Sequence, residues 1–266
     1  MNIQLYKALW GMEGSYRDQL TRAAQAGYTG IEAPLPPRDL EREFKDLLAE
    51  LQLHYIAQVV TSVPHQETFA EQLRRAADFD PKLIVSHSAR DGMKIEDQLG
   101  FFEAALKIEQ EVGITIGHET HRSRAMFTPW TTRRLLEEFP ELSITADFSH
   151  WCCVTETMLE DYAEDMEVAI RRAVHIHARV GYAQGPQVPH PGAPEYSREL
   201  AAFETWWKRI VQYRSEQGFS YTSMTPEFGP ANSGYMHTLP FTGAPVTDLW
   251  EVNEWMAKRI SERMTP

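Results

Sequence analysis

The stretch EVGITIGHETHRSR, Glu111 to Arg124, opens on a short apolar run and ends in a charged cluster. Ile114 to Gly117 reads as a strand, and five residues able to carry charge follow: His118, Glu119, His121, Arg122 and Arg124. A surface turn has this composition, and so does the rim of a site at a strand end. What decides between them is whether other segments of the chain repeat the arrangement.

They do. Apolar strand patterns recur at Ile3–Leu9, Tyr28–Ala33, Tyr55–Thr61, Leu83–Ser86, Ile114–Gly117, Ser143–Ala146, Val174–Ala178 and Tyr221–Pro226. Amphipathic helical patterns alternate with them at Ser15–Ala26, Arg38–Leu51, Gln66–Asp78, Ile95–Val112, Pro129–Phe139, Glu156–Arg172, Ser197–Gln217 and Val246–Met264. Pro129 suits a first helical turn, where its missing N–H costs nothing. In QAGYTGIE, Gly27 stops a helix just before a strand begins.

Eight strand-then-helix units in 266 residues average about 33 residues each, the size of one βα unit. Strict alternation implies a parallel sheet, and eight units imply that it closes. The expected fold is therefore α/β, a single (β/α)8 TIM barrel occupying residues 1–266 as one domain. An open doubly wound sheet is the rival. It usually carries a Gly-rich phosphate turn after its first strand, and WGMEGSY has no such G-x-G-x-x-G pattern.

The net charge of −12 opposes a nucleic-acid partner, which would call for a basic surface. No apolar run approaches the roughly 20 residues a membrane span needs. The start MNIQLYKALWG lacks the basic and apolar regions of a signal peptide. Cys152 and Cys153 are the only cysteines, and neighbours in sequence pair only with strain. A cytoplasmic enzyme in a reducing compartment is the expectation, with no nucleic-acid or membrane partner.

In such a barrel the chemistry sits at the C-terminal ends of the strands. The fifth strand leads to Glu119, the sixth to Asp147 and His150 in ITADFSHW, the seventh to His177 and Arg179 in VHIHARVG, and the eighth to Glu227 in SMTPEFGP. Glu, Asp, His and Glu thus stand at one end, spaced by 28, 30 and 50 residues: one unit, one unit and one long unit. The extra length is a Pro/Gly-rich insert, YAQGPQVPHPGAPEYS. A lone Glu119 or Asp147 would ordinarily be a surface residue or a cap. In HIH both histidines face one side, His175 a layer deeper as a core histidine and His177 nearer the mouth. Three carboxylates gathered at a strand end repel one another unless a cation joins them. Oxygen donors with one imidazole suit a divalent ion such as Mn²⁺, Mg²⁺ or Co²⁺.

At these residues the chain resembles the xylose-isomerase-like superfamily of sugar isomerases and epimerases, over nearly its whole length and including the GYTGIE entry to the second strand. The resemblance implies one divalent cation, most often Mn²⁺ with Zn²⁺ among the alternatives, held by Glu119, Asp147, His177 and Glu227. It implies that Glu119 and Glu227 act as base and acid in moving a proton next to the carbonyl of a sugar, through an enediolate. In the D-x-x-H pair, His150 would contact substrate with Arg179. His121 and Arg122 would hold a distal hydroxyl, carboxylate or phosphate. His87, Trp10 and Glu32 complete the expected substrate contacts, Trp10 as a stacking wall. The strand-7 region HARVGYAQGPQ departs from the HxGExxR pattern of ketose 3-epimerases, with Arg179 close in. Other members of the superfamily act as lyases or deglycosidases on 3-oxo-sugars, and the ligand set does not separate the two chemistries. A metal-dependent hydrolase ranks below both, because its H-x-H pair belongs on the first strand, where this chain has Leu9 and Trp10. HETH is not the H-E-x-x-H of zinc peptidases. The expected partner is a small sugar or sugar derivative, with a homo-oligomer as a further expectation.

Overall fold

In the computed structural model, which describes residues 1–264, eight parallel strands pair each with the next and the eighth with the first. The last two residues of the expected 1–266 span lie outside the described residues. The strands are β1 (Asn2–Ala8), β2 (Gly30–Pro34), β3 (His54–Val60), β4 (Leu83–His87), β5 (Ile116–Glu119), β6 (Ile144–Ala146), β7 (Ala173–Ala178) and β8 (Tyr221–Pro226). Around them lie α1 (Tyr16–Gln25), α2 (Glu41–Glu50), α3 (His65–Ala77), α4 (Ile95–Val112), α5 (Pro129–Glu138), α6 (Phe148–Thr155), α7 (Ala163–Arg172), α8 (Ser197–Glu216) and α9 (Leu249–Arg263). The expected closed (β/α)8 barrel is the fold, and the doubly wound alternative is excluded by the closure of β8 onto β1.

Local chemistry sets the elements. Ser15 caps α1 and exchanges bonds with Asp18 in a capping box. Thr128 caps α5, and Pro129 takes its first turn. One element departs from expectation. The helix read as Glu156–Arg172 starts only at Ala163, as α7, and a separate short helix, α6, runs before it from Phe148, directly behind Asp147, to Thr155. Glu156 and Leu159 between them adopt φ of 54° and 63°, which no continuous helix accommodates.

The interior splits into two layers. Apolar side chains on the outward faces of the strands pack against the helices in one large core that includes Ile31, Ile116, Ile144 and Ile176. Tyr6, Ile56, Leu83 and Val85 form a separate small cluster inside the barrel. Polar residues follow above it: His175, Thr225, Glu32 and then the ligand-type residues, all buried.

The register explains why widely spaced residues meet. Glu119 lies level with Thr145, Thr145 with His175, and His175 with Ser223. Barrel strands tilt against the axis, so the same height is reached later on each successive strand. Asp147 and His177 stand two residues beyond that level and Glu227 four. Gly117 keeps β5 against β6, since a Cβ there would come within 2.3 Å of the Thr145 hydroxyl.

Candidate metal centre

Glu119, Asp147, His177 and Glu227 each place a donor atom within 4.8 Å of the others, and all four are buried. His177 shows how the cluster is wired. Its Nε2 lies 2.8 Å from Glu32 Oε1, so this nitrogen carries the proton and donates. Nδ1 then turns a lone pair into the cluster, 2.9 Å from Glu227 Oε2 and 3.2 Å from Glu119 Oε1. A lone pair facing two carboxylate oxygens is repulsive unless a proton or a cation lies between them. Burial opposes a charge on His177, but Glu227, Glu32 and Glu119 hold its pKa well above the ordinary value.

The carboxylates show the same shortage of positive charge. Glu119 Oε2 and Glu227 Oε2 are buried with no hydrogen-bond donor of acceptable geometry. His87 Nε2 does approach Glu119 Oε2 closely enough to count as an ion pair. Burial pushes the Asp147 carboxyl up to about 7, with Arg179 pulling down and Glu227 and Glu119 adding to the rise. Burial works the same way on Glu119, where His87 and His177 outweigh it and hold the carboxyl well below its usual range. Two carboxylate oxygens facing only imidazole nitrogens, an inward ring nitrogen and crowded acids are the donor set of a divalent cation. The four residues fit one.

Asp147 is fixed from behind. It caps α6, taking the backbone N–H and hydroxyl of Ser149 on Oδ1. Oδ2 faces Arg179 and lies 3.5 Å from His150 Nε2. Arg179 is buried and also donates to Ser149 Oγ and His150 Nε2, at 3.1 and 2.7 Å. A guanidinium only donates, so His150 Nε2 is an acceptor and the imidazole proton is on Nδ1. That N–H is buried without a partner. Burial and the neighbouring His121 and Arg179 hold His150 well below its ordinary pKa, so it is neutral.

His121 is wired as a neutral ring too. Nδ1 faces the Arg122 carbonyl and Nε2 lies 3.2 Å from the Tyr235 hydroxyl. Its ring centroid is 3.9 Å from that of His150 and 4.7 Å from that of His87. Burial lowers its pKa to about 3, against the attraction of Glu119. Trp10 stands 6.3 Å from His177, ring to ring, and Arg122 lies over Tyr235 at 5.3 Å. The structure therefore brings His87, His121, His150, Arg179 and Trp10 around the four central residues, with Arg122 beside Tyr235.

Glu32 is the exception among the expected substrate contacts. It is fully buried, and both oxygens are taken, Oε1 by His177 and Oε2 by His175 and the Thr225 hydroxyl. It orients the ligand-type histidine from the barrel interior instead of standing at the mouth. His175 beneath it is bonded to Ser223 as well, a core histidine as expected. His118 faces outward, bonded to Ser88 and Glu109. Tyr235, in the loop after β8, was not visible in the sequence as a site residue. Its ring covers Arg179 at 4.4 Å, and nothing in GYMH signals that.

A closed parallel barrel with a buried carboxylate–histidine cluster at the C-terminal strand ends defines a class of enzyme folds. The xylose isomerase-like TIM barrel family model matches residues 20–187, and the chain belongs to that family. Several solved structures share its fold at low identity. A probable 3-DHS dehydratase, AsbF, from Bacillus anthracis aligns over 99% of this chain and 100% of its own, with TM-score 0.63 and 14% identity. A xylose isomerase-like TIM barrel protein from Mycobacterium smegmatis, in complex with magnesium, aligns over 98% of both chains, with TM-score 0.62 and 10% identity. A sugar phosphate isomerase/epimerase from Parabacteroides distasonis aligns over 100% of this chain and 94% of its own, with TM-score 0.60 and 15% identity. No curated protein matches the chain.

Proposed function

We propose that this chain is a divalent-metal-dependent sugar isomerase or epimerase, with Glu119, Asp147, His177 and Glu227 as ligands and Mn²⁺ as the preferred ion. The observation that carries this reading is the convergence of those four buried donors, with Glu119 Oε2 and Glu227 Oε2 facing the ring nitrogens of His87 and His177. The oxygen-rich set with one imidazole favours Mn²⁺ or Mg²⁺ over ions that seek thiolates. A bound cation supplies Lewis-acid polarisation of a sugar carbonyl and its neighbouring hydroxyl.

The chain's own residues then move the proton. Glu119 and Glu227, both beside His177 Nδ1, act as base and acid at the carbon next to the carbonyl, through an enediolate. The unpartnered Nδ1–H of His150 donates to a substrate oxygen as charge develops there. Arg179 holds Asp147 and His150 in place and keeps positive charge beside the developing oxyanion. Trp10 offers a sugar face its ring, and His87, His121 and Arg122 offer polar groups to the remaining hydroxyls or an anionic end.

A second reading, elimination from a 3-oxo-sugar, is favoured by one feature: the neutral imidazoles of His121 and His150 beside Glu119 are suited to passing a proton to a leaving group. Both reactions begin by removing the proton α to a carbonyl. Incubation with Mn²⁺ in D₂O and a panel of aldoses, ketoses and 3-oxo-glycosides tests both. Deuterium uptake at one carbon beside a carbonyl, reduced roughly 10²–10⁴-fold in Glu227→Gln, is the expected result. Release of an aglycone would select elimination, and no uptake or release across the panel would contradict both.

A further inference from the structure

Outside the barrel, a cavity of about 380 Å³ lies between the β1–α1 turn, α1, the loop after β8 and the start of α9. Met12, Met236, Leu249 and Trp250 supply apolar wall, and Lys7 and Arg22 supply cations. Glu13 and Asp248, both exposed, also line it, Asp248 with one oxygen committed to capping α9.

Lys7 is the unusual member. Tyr6 before it points into the barrel, so Lys7 points out toward the helices. It is only 1% exposed. Its ammonium makes a single hydrogen bond, to the Ala8 carbonyl at 2.9 Å, and lies 5.4 Å from the Trp250 ring. An ammonium has three N–H donors, and among the described residues the other two meet no hydrogen-bond acceptor. Among the described residues, no carboxylate comes within ion-pair distance of Lys7 or of Arg22, although the chain carries a net charge of −12. Glu254, the acid whose charge acts on Lys7, is engaged by the Tyr28 hydroxyl at 2.7 Å. Arg22 lies with its guanidinium carbon 3.7 Å from the centroid of the same Trp250 ring, which leaves its N–H edge available. A buried charge ordinarily has a partner that compensates its desolvation. Burial brings the Lys7 amine down to about 8, with Glu254 opposing that shift and Arg22 adding to it.

We propose that this cavity is a binding site for a small organic oxyanion, its carboxylate or phosphate head on Lys7 and Arg22 and its apolar body against Trp250, Met12 and Leu249. The site is separate from the cluster in the barrel and does not depend on its chemistry. Inorganic phosphate and pyruvate, titrated calorimetrically against the full chain in EDTA, are the probes, so that the head and the body are tested apart. Saturable binding of at least one is expected. It weakens tenfold or more in Lys7→Met and in Arg22→Ala and is unchanged in Glu227→Gln. Tighter binding of phosphate identifies a phosphate head, and tighter binding of pyruvate a carboxylate. Arg22 is exposed, so its variant decides the matter if Lys7→Met fails to fold. Wild-type affinity in Arg22→Ala, loss of binding in Glu227→Gln, or no binding of either probe would overturn the proposal.

Discussion

Glu32 stands midway along β2, although from the sequence it reads as one more acid at the mouth. Side-chain direction settles its role, and that direction depends on His175, His177 and Thr225, residues about 143 to 193 positions away that it bonds in the barrel interior. No local pattern encodes such a pairing. The convergence of the four central residues could be read because each stands at the C-terminal end of an apolar strand, the end where this fold gathers its chemistry. Tyr235 was not, because its loop approaches Arg179 only through the packing of the whole β8–α9 segment. If Glu32 fixes the His177 tautomer, Glu32→Gln should weaken Mn²⁺ binding about 10- to 100-fold while the fold persists. Isothermal titration measures this, and unchanged affinity would remove Glu32 from the centre.

At the scale of elements, strands were easier to place than helix ends. The stop between α6 and α7 depends on Glu156 and Leu159 in the left-handed region, and neither residue type signals it. The Pro/Gly-rich insert after β7 is stitched down: Gln187 exchanges two hydrogen bonds with Gly229, at 2.7 and 3.2 Å, and Val188 N–H reaches the Val180 carbonyl at 2.9 Å. The meeting of β5 and β6 is equally tight. Gly117→Ala would bring a methyl within 2.3 Å of the Thr145 hydroxyl. A loss of about 1–3 kcal/mol in urea unfolding is expected, because the contact lies between two fixed strands. A neutral result would mean that β5 and β6 have room to separate.

The whole molecule spends buried polar groups at one end of the barrel, and pH should reveal them. His121 has an ordinary pKa of 6.5 in the unfolded chain and about 3 when folded, because burial disfavours its charge. His150 and His175 shift in the same direction, also chiefly through burial. Below pH 6.5 the unfolded chain takes up protons that the folded chain refuses. The stability linked to His121 is therefore complete above 6.5 and is lost progressively as pH falls toward 3. Each pH unit in that window is worth about 1.4 kcal/mol per histidine, so in EDTA the wild type should lose about 2 kcal/mol more than His121→Gln between pH 6.5 and about 5. Parallel losses would show that His121 is not held as a neutral ring. The fold itself was legible at this scale, since eight alternating units admit few closed solutions. The clustering at the centre was legible only as a set, because any one of its acids alone reads as surface. The central claim is that these four side chains hold one divalent ion. The electron paramagnetic resonance signal of free Mn²⁺, followed as protein is added, tests it most directly. One ion bound per chain, with affinity lost by roughly 100-fold or more in Glu227→Gln, is the predicted result. A signal that stays at its free value throughout the titration, or equal binding by Glu227→Gln, would contradict it.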